Sequence, residues 1–336
     1  MEKIRFYFWL PILALAACST EAGLQQLLGK GAAAPVFLDC RPVSSTELVF
    51  SFSAAVRVVS LEFDPAQTID YVEDGKEVRV SFASPLAEGT RVIADILVED
   101  DNRNTLNVIV PFRARNDRMP ALIFNELRTE YSRPRVELVE FLAREAGNLG
   151  AMRLFIASNS LTTPVYEFPP VEVAAGEYIV LHLRTLNEES ADETGTNLSL
   201  SVGTDTQADA RDLWLPGTTK RLRRNDALWL LDQDDRIVDA VLLSERPDAM
   251  WSNDNIAEAA AFLARNNAWL PADGTEAVQG WVPGPADAVI TSGTTATRSI
   301  NRDESITPER RSANWYITAT SGATPGRPNN PRRHSP

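Results

Sequence analysis

The side chains able to do chemistry are few. The 336 residues include two histidines, His182 and His334, and two cysteines, Cys18 and Cys40. Nucleophilic catalysis needs a base and a third group to orient it, and His182 falls in the apolar run 178–183, where a structural role is expected. No Gly-x-Ser-x-Gly elbow, glycine-rich phosphate loop or His/Cys metal cluster occurs. Carboxylates remain. Asp232, Asp234 and Asp235, with Asp239 beyond, crowd a short segment, and oxygen ligands at such spacing can hold Ca²⁺. That segment lacks the central glycine and terminal glutamate of a calcium loop. A polar hairpin turn is therefore expected, with Asp232, Asp234 and Asp235 as the metal candidates. A second acidic scatter, Asp192, Glu193, Asp205, Asp209 and Asp212, reads as a solvated loop. Trp214, Trp251, Trp269 and Trp281 would mark a sugar-stacking patch if exposed together, and covering the flank of a sheet is the expected outcome. No catalytic residue and no cofactor are expected.

The N-terminus carries a different chemistry. Lys3 and Arg5 precede an apolar run, 6–15, that is of signal-peptide length and too short to span a bilayer. Pro11 in its middle argues against a permanent membrane helix. The run ends in Leu15-Ala16-Ala17-Cys18, which resembles the lipobox of bacterial lipoproteins. The resemblance implies cleavage before Cys18, a thioether-linked diacylglycerol on its sulfur and acylation of the new amino group. Two or three acyl chains give stable attachment where one does not. Ser19 in the next position implies sorting to the outer membrane.

Composition bounds the partners. The net charge is −13, and cleavage before Cys18 would remove Glu2, Lys3 and Arg5 and leave −14. Such acidity disfavours nucleic acid. With Cys18 on lipid, Cys40 has no partner for an intrachain disulfide. It lies in an apolar stretch and is expected to be a structural thiol.

Elements that would position any site read as strands. Residues 18–34 form a tether rich in small residues. Over 35–115, segments 47–52, 77–82, 91–98 and 106–112 alternate apolar and polar side chains, with Asp74-Gly75, Glu88-Gly89 and Asp101-Asn102 as turns. Short strands at this spacing predict a sandwich of two sheets. The stretch from Pro85-Leu86 through Glu88-Gly89-Thr90 to Asp101-Asn102 resembles bacterial Ig-like modules.

After a polar linker at 116–120, a second β-rich segment begins. Its pieces are Ile123-Phe124-Asn125-Glu126-Leu127, Val136-Glu137-Leu138, residues 149–154, Ala175-Gly176-Glu177-Tyr178 with its apolar sequel, residues 231–239, and Ser299 to Arg302 with Trp315 and Thr324-Pro325-Gly326 to Asn329. In this order they resemble the lamin-tail domain, an Ig-fold sandwich. Glu140 stands where that family has asparagine, and Met152 where it has tryptophan. Insertions at 185–225 and 244–298 exceed a minimal domain, and long loops are either functional or disordered. The second holds helical spacing at Ile256, Ala259, Ala260 and Leu263 behind an Asp254 cap. From Pro325 the chain is proline- and arginine-rich and is expected to be disordered, with 331–336 as a free tail.

The fold expected is all-β, two Ig-like β-sandwiches in tandem over 35–115 and 121–330. The function expected is non-catalytic binding or scaffolding in the bacterial cell envelope. The partners expected are the membrane, through lipid on Cys18, and an unidentified protein or carbohydrate. The alternative is a hydrolase or accessory subunit, Ca²⁺-dependent in one form, with its site in the insertions.

Overall fold

A computed structural model describes residues 34–186 and 190–335. Among these, strands dominate and there is one α-helix, so the fold is all-β. The signal peptide, Cys18 and most of the tether lie outside the described residues. The chain divides into two compact units. One takes residues 34–41, Leu48–Phe82 and Ile93–Val110; the other takes Pro42–Glu47, Ala83–Val92 and everything from Pro111.

β1 (Phe37–Ser44), β2 (Glu47–Asp64), β3 (Ile69–Glu73), β4 (Gly75–Phe82), β5 (Arg91–Asp100) and β6 (Thr105–Arg113) belong to one sheet of order β3-β4-β2-β5-β6, with β1 also paired to β2. The two separate sheets expected from sequence are joined here. β2 has 18 residues and pairs with β1, β4 and β5. Leu48, Phe50, Phe52 and Val56 are buried at even positions, as period-two alternation requires, and Val49 is buried as well. A register shift between Val58 and Ser60 changes the parity, and Phe63 then turns inward against the Phe82 ring. Cys40 on β1 is half-buried; burial, with Asp39 beside it, pushes its thiol up to about 12. It stays protonated, as a structural thiol does.

In the second unit two sheets share one core. The first has order β14-β13-β8-β7-β18-β19, from β7 (Leu122–Arg128), β8 (Leu138–Ala143), β13 (Tyr178–His182), β14 (Arg211–Trp214), β18 (Ile300–Arg302) and β19 (Trp315–Ile317). The other has order β11-β10-β15-β16-β17, from β10 (Arg153–Ile156), β11 (Tyr166–Glu167), β15 (Asp226–Leu231), β16 (Ile237–Ser244) and β17 (Val289–Ile290). A short pair, β9 (Gly147–Asn148) and β12 (Glu172–Val173), completes the unit. Phe124, Phe141, Ile179 and Leu181 from the first sheet meet Leu154, Ile156, Leu228 and Leu242 from the second. Met152 is fully buried in this core.

The helix runs Asp254–Arg265 and buries Ile256, Ala259, Ala260 and Leu263. Its N-cap is Asn253, whose side chain accepts from the Ile256 N–H, not Asp254. Residues 116–120 are not a free linker. Asn116 is buried, and its Nδ2 donates to the carbonyls of Asn148 and Gly150, both at 2.8 Å. The C-terminal stretch is not disordered as far as residue 335. Ala319 N donates to Arg332 O and His334 N to Ile317 O, at 2.8 and 2.7 Å. Arginine and proline bury little apolar surface, but here the backbone supplies the attachment.

Asp226 opens β15 and is fully buried. Its carboxylate accepts from Ser158 N and Oγ and from the N–H groups of Ala227 and Arg223. Burial outweighs these bonds and pushes its pKa up to about 6. A carboxyl whose folded value is raised favours folding when protonated, so its contribution is largest below the ordinary value of 3.8 and falls as pH rises through about 6. Relative to Asp226→Asn, the wild-type protein should therefore lose on the order of 1–3 kcal/mol of unfolding free energy between about pH 4 and pH 7. Denaturant titrations at a series of pH values check this, and a constant difference would contradict it.

Candidate functional site

The carboxylates of the 232–235 turn do not converge. Asp232 Oδ1 accepts from the N–H groups of Asp234 and Arg236. Asp234 pairs with Arg115 at 3.2 Å, and Asp235 pairs with Arg153 at 2.6 Å. Among the described residues no group of three or more His, Cys, Asp or Glu side chains is placed to hold a metal ion. Asp232, Asp234 and Asp235 are each engaged at the hairpin between β15 and β16. The tryptophans are also structural in part. Trp269 is fully buried, with Nε1 donating to Asp287 O, and Trp251 and Trp281 pack against the core. Nε1 of Trp251 donates to Pro283 O. His334 lies 3.1 Å from the Arg298 guanidinium.

The insertion at 185–225 departs from its reading as a solvated loop. It returns to the sheet as β14, parallel to β13, with His182 level with Trp214. Their rings stack with centroids 3.8 Å apart. His182 Nε2 lies 2.6 Å from Asp212 Oδ1, and both side chains are buried. With Nε2 donating to the carboxylate, Nδ1 is left as the acceptor, and it has no protein partner. The Asp212 N–H donates to Glu193, which is itself fully buried and accepts from the N–H groups of Leu200 and Ser201. Arg211 bonds Glu177 at 2.8 Å and the carbonyls of Glu193, Gly195 and Glu172. From β7, the buried Arg128 grips Asp205 with both terminal nitrogens, at 2.6 and 3.1 Å. Acidic residues that look solvent-facing in sequence are therefore the staples that fix the insertion.

The C-terminal segment is fixed from the same strand. Glu126 on β7 and Glu140 on β8 sit opposite each other across a bulge at Asn125. Both are fully buried. Glu126 accepts from Thr324 N at 3.1 Å and Thr324 Oγ1 at 3.2 Å. Glu140 accepts from Gly326 N at 2.6 Å and from Asn125 Nδ2 at 2.9 Å. Burial raises both carboxyls above the ordinary range, Glu140 well above it, with the nearby Glu126 charge adding to the effect. Asn329 donates to the carbonyls of Arg302 and Asn125. Gly326 has φ +74°, and a Cβ there would come within 2.8 Å of Ala210 and Gln207 in the insertion. Only glycine fits. The missed signal was polar: Asn125, Glu126 and Glu140 stand amid apolar runs at positions that should face inward.

Beside the insertion lie two adjoining cavities that share Thr204 and Asp205, the larger of the two bounded also by the C-terminal segment. One, of about 170 Å³, is lined by His182, Trp214, Arg133 and Ser190 among others. The second, of about 210 Å³, is lined by Arg128, Arg135, Arg327, Gln207 and Thr324 among others. This cleft is the candidate site. It is polar, and Arg128, Asp205 and His182 in its walls are fixed by buried pairs. Gly326→Ala should lower the unfolding free energy by about 2 kcal/mol or more, through strain at a left-handed position and a clash with the insertion. Arg327→Ala, one residue on and exposed, should stay within about 1 kcal/mol of wild type. Thermal denaturation of the two variants checks the contrast, and equal effects would contradict it.

A curated relative is an uncharacterized protein of Treponema pallidum (strain Nichols), 27% identical over 239 residues. The match covers 67% of this chain and 61% of the relative, so the chain spans under two thirds of that protein's length. A solved structure of a DUF4876 family protein from Bacteroides thetaiotaomicron VPI-5482 aligns with 13% identity, over 80% of this chain and 89% of that one. The TM-score of that alignment is 0.29. A family model, TP_1001_2nd, described as "protein second domain", matches residues 120–317, which takes in both insertions and most of the second unit. With more than half its length matched, the chain belongs to the TP_1001 second-domain family.

Proposed function

We propose that this chain is a lipid-anchored protein of the bacterial cell envelope whose second unit is a non-catalytic binding module working through the cleft. The anchor rests on the N-terminal pattern ending at Cys18. The binding role rests on one observation above the others. The acids around the cleft are already committed: Asp205 to Arg128, Asp212 to His182, and Glu193 to three backbone N–H groups. A general acid or base must exchange a proton with a ligand, and these groups are spent on holding the walls. What remains open to a ligand is a fixed set of hydrogen-bonding groups, the arrangement that selects a polar partner. The partner class is a protein or carbohydrate of the envelope; the net charge of −13 disfavours nucleic acid.

The unpartnered Nδ1 of His182 favours a second reading, hydrolysis, with the imidazole held by Asp212 as base. Against it, Trp214 covers one ring face and the side chain is 1% exposed. Hydrolysis of an ester or phosphoester probe by the full chain that disappears in His182→Gln would favour this reading over binding.

For the anchor, metabolic labelling of cells with radioactive palmitate should mark the wild-type protein, and Cys18→Ala should abolish the label. Retained label in the variant would overturn the lipid attachment.

A further inference from the structure

The larger cavity has a sign of charge opposite to that of the chain. In a protein of net charge −13, its lining holds three arginines, Arg128, Arg135 and Arg327, against one carboxylate, Asp205. That carboxylate is neutralised by Arg128, which holds it through two bonds. Arg327 reaches only the neutral Gln207 side chain, and Arg135 pairs with no acid among the described residues. Two guanidinium charges are therefore left uncompensated at the cavity. Behind them, Arg128 is 1% exposed, and its Nε is a buried donor with no partner. An unused donor on a buried cation is costly.

We infer that this cavity is an oxyanion site, built to take the carboxylate, sulfate or phosphate group of a small hydroxylated ligand of sugar size. The guanidinium fork matches such groups with two parallel bonds, and charge assistance makes each roughly twice as strong as a neutral one. The rest of the lining suits hydroxyls: Thr204, Thr297 and Ser321 stand around the arginines. The volume of about 210 Å³ is below that of pockets for drug-sized molecules, which begin near roughly 300 Å³, so the ligand is one ring or less. Placement of the arginines on separate elements gives the site its definition. Arg128 comes from β7, Arg135 precedes β8, and Arg327 comes from the C-terminal segment that Glu126 and Glu140 hold in place. The inference deepens the binding-module reading and rests on it, naming the chemical class that the cleft recognises.

Calorimetric titration of the purified full chain tests it, with glucuronate, inorganic sulfate, inorganic phosphate and glucose as probes. Glucuronate should bind saturably and compete with sulfate or phosphate, while glucose, which lacks the anionic group, should bind at least about tenfold more weakly. The three anions separate the sources: tighter binding of glucuronate points to an acidic sugar, and tighter binding of phosphate or sulfate points to an ester of those acids. Arg135→Ala and Arg327→Ala should each weaken anion binding by about tenfold or more. Arg246→Ala, an exposed arginine away from the cavity lining, should leave it unchanged. Equal affinity for glucose and glucuronate would overturn the oxyanion assignment and leave the binding module standing. No saturable anion binding, or anion binding untouched by both cavity variants, would also overturn it. Hydrolysis of a glucuronide or of a phosphate monoester by the full chain would instead overturn the non-catalytic reading, while loss of anion affinity in the arginine variants would still support the site.

Discussion

Two side chains of opposite charge, Glu126 and Arg128, stand two residues apart on β7 and are both removed from water. Residues at that spacing share a face of a strand. Glu126 takes the N–H and hydroxyl of Thr324, and Arg128 takes the carboxylate of Asp205. One strand thus holds both walls of the cleft, the C-terminal segment and the 185–225 insertion. Burying such charges costs several kcal/mol each unless their bonds are complete. The contacts of the walls meet that requirement at both charges.

The same constraint explains the rest of the polar interior. Glu140 cannot reach an arginine, and burial beside Glu126 pushes it toward the protonated form; it still accepts the Gly326 N–H. Glu193 and Asp212 form a chain that runs from the backbone of 200–201 through the sheet edge to His182. Arg302 lies between Asp239 at 2.5 Å and the Trp315 ring, joining the first sheet to the second. Each pair fixes a segment that has little apolar surface of its own. A cleft whose walls are held this way needs no large rearrangement to accept a polar ligand, which favours recognition by a preformed site.

Much of the fold was legible in the sequence. The alternation of Leu48, Phe50 and Phe52, or of Val92, Ala94, Ile96 and Val98, matches buried faces because period two is a property of the strand itself. The helix was legible for the same reason, although its cap moved one residue to Asn253. The hairpin at 232–235 was expected and is present. What escaped was held by polar contacts between distant residues. The C-terminal segment offers almost no apolar side chain and so looks disordered in sequence, yet Glu126 and Glu140 hold it from 198 and 186 residues away. The insertion was read as solvated because Asp205, Asp212 and Glu193 are acidic, and nothing local to them reveals Arg128 or His182 as partners. Asn116 escaped similarly: a polar run looks like a linker until its amide finds two buried carbonyls.

Amide hydrogen exchange on Arg128→Gln tests most directly whether β7 sets the cleft. The substitution removes the charge and the two terminal donors under Asp205 while keeping a polar side chain. The account predicts faster exchange at residues 200–207 and at the Gly326 N–H, whose neighbour across the cleft is the insertion, with β15 and β16 unchanged. Unaltered exchange in both walls, or acceleration spread evenly through the second unit, would contradict it.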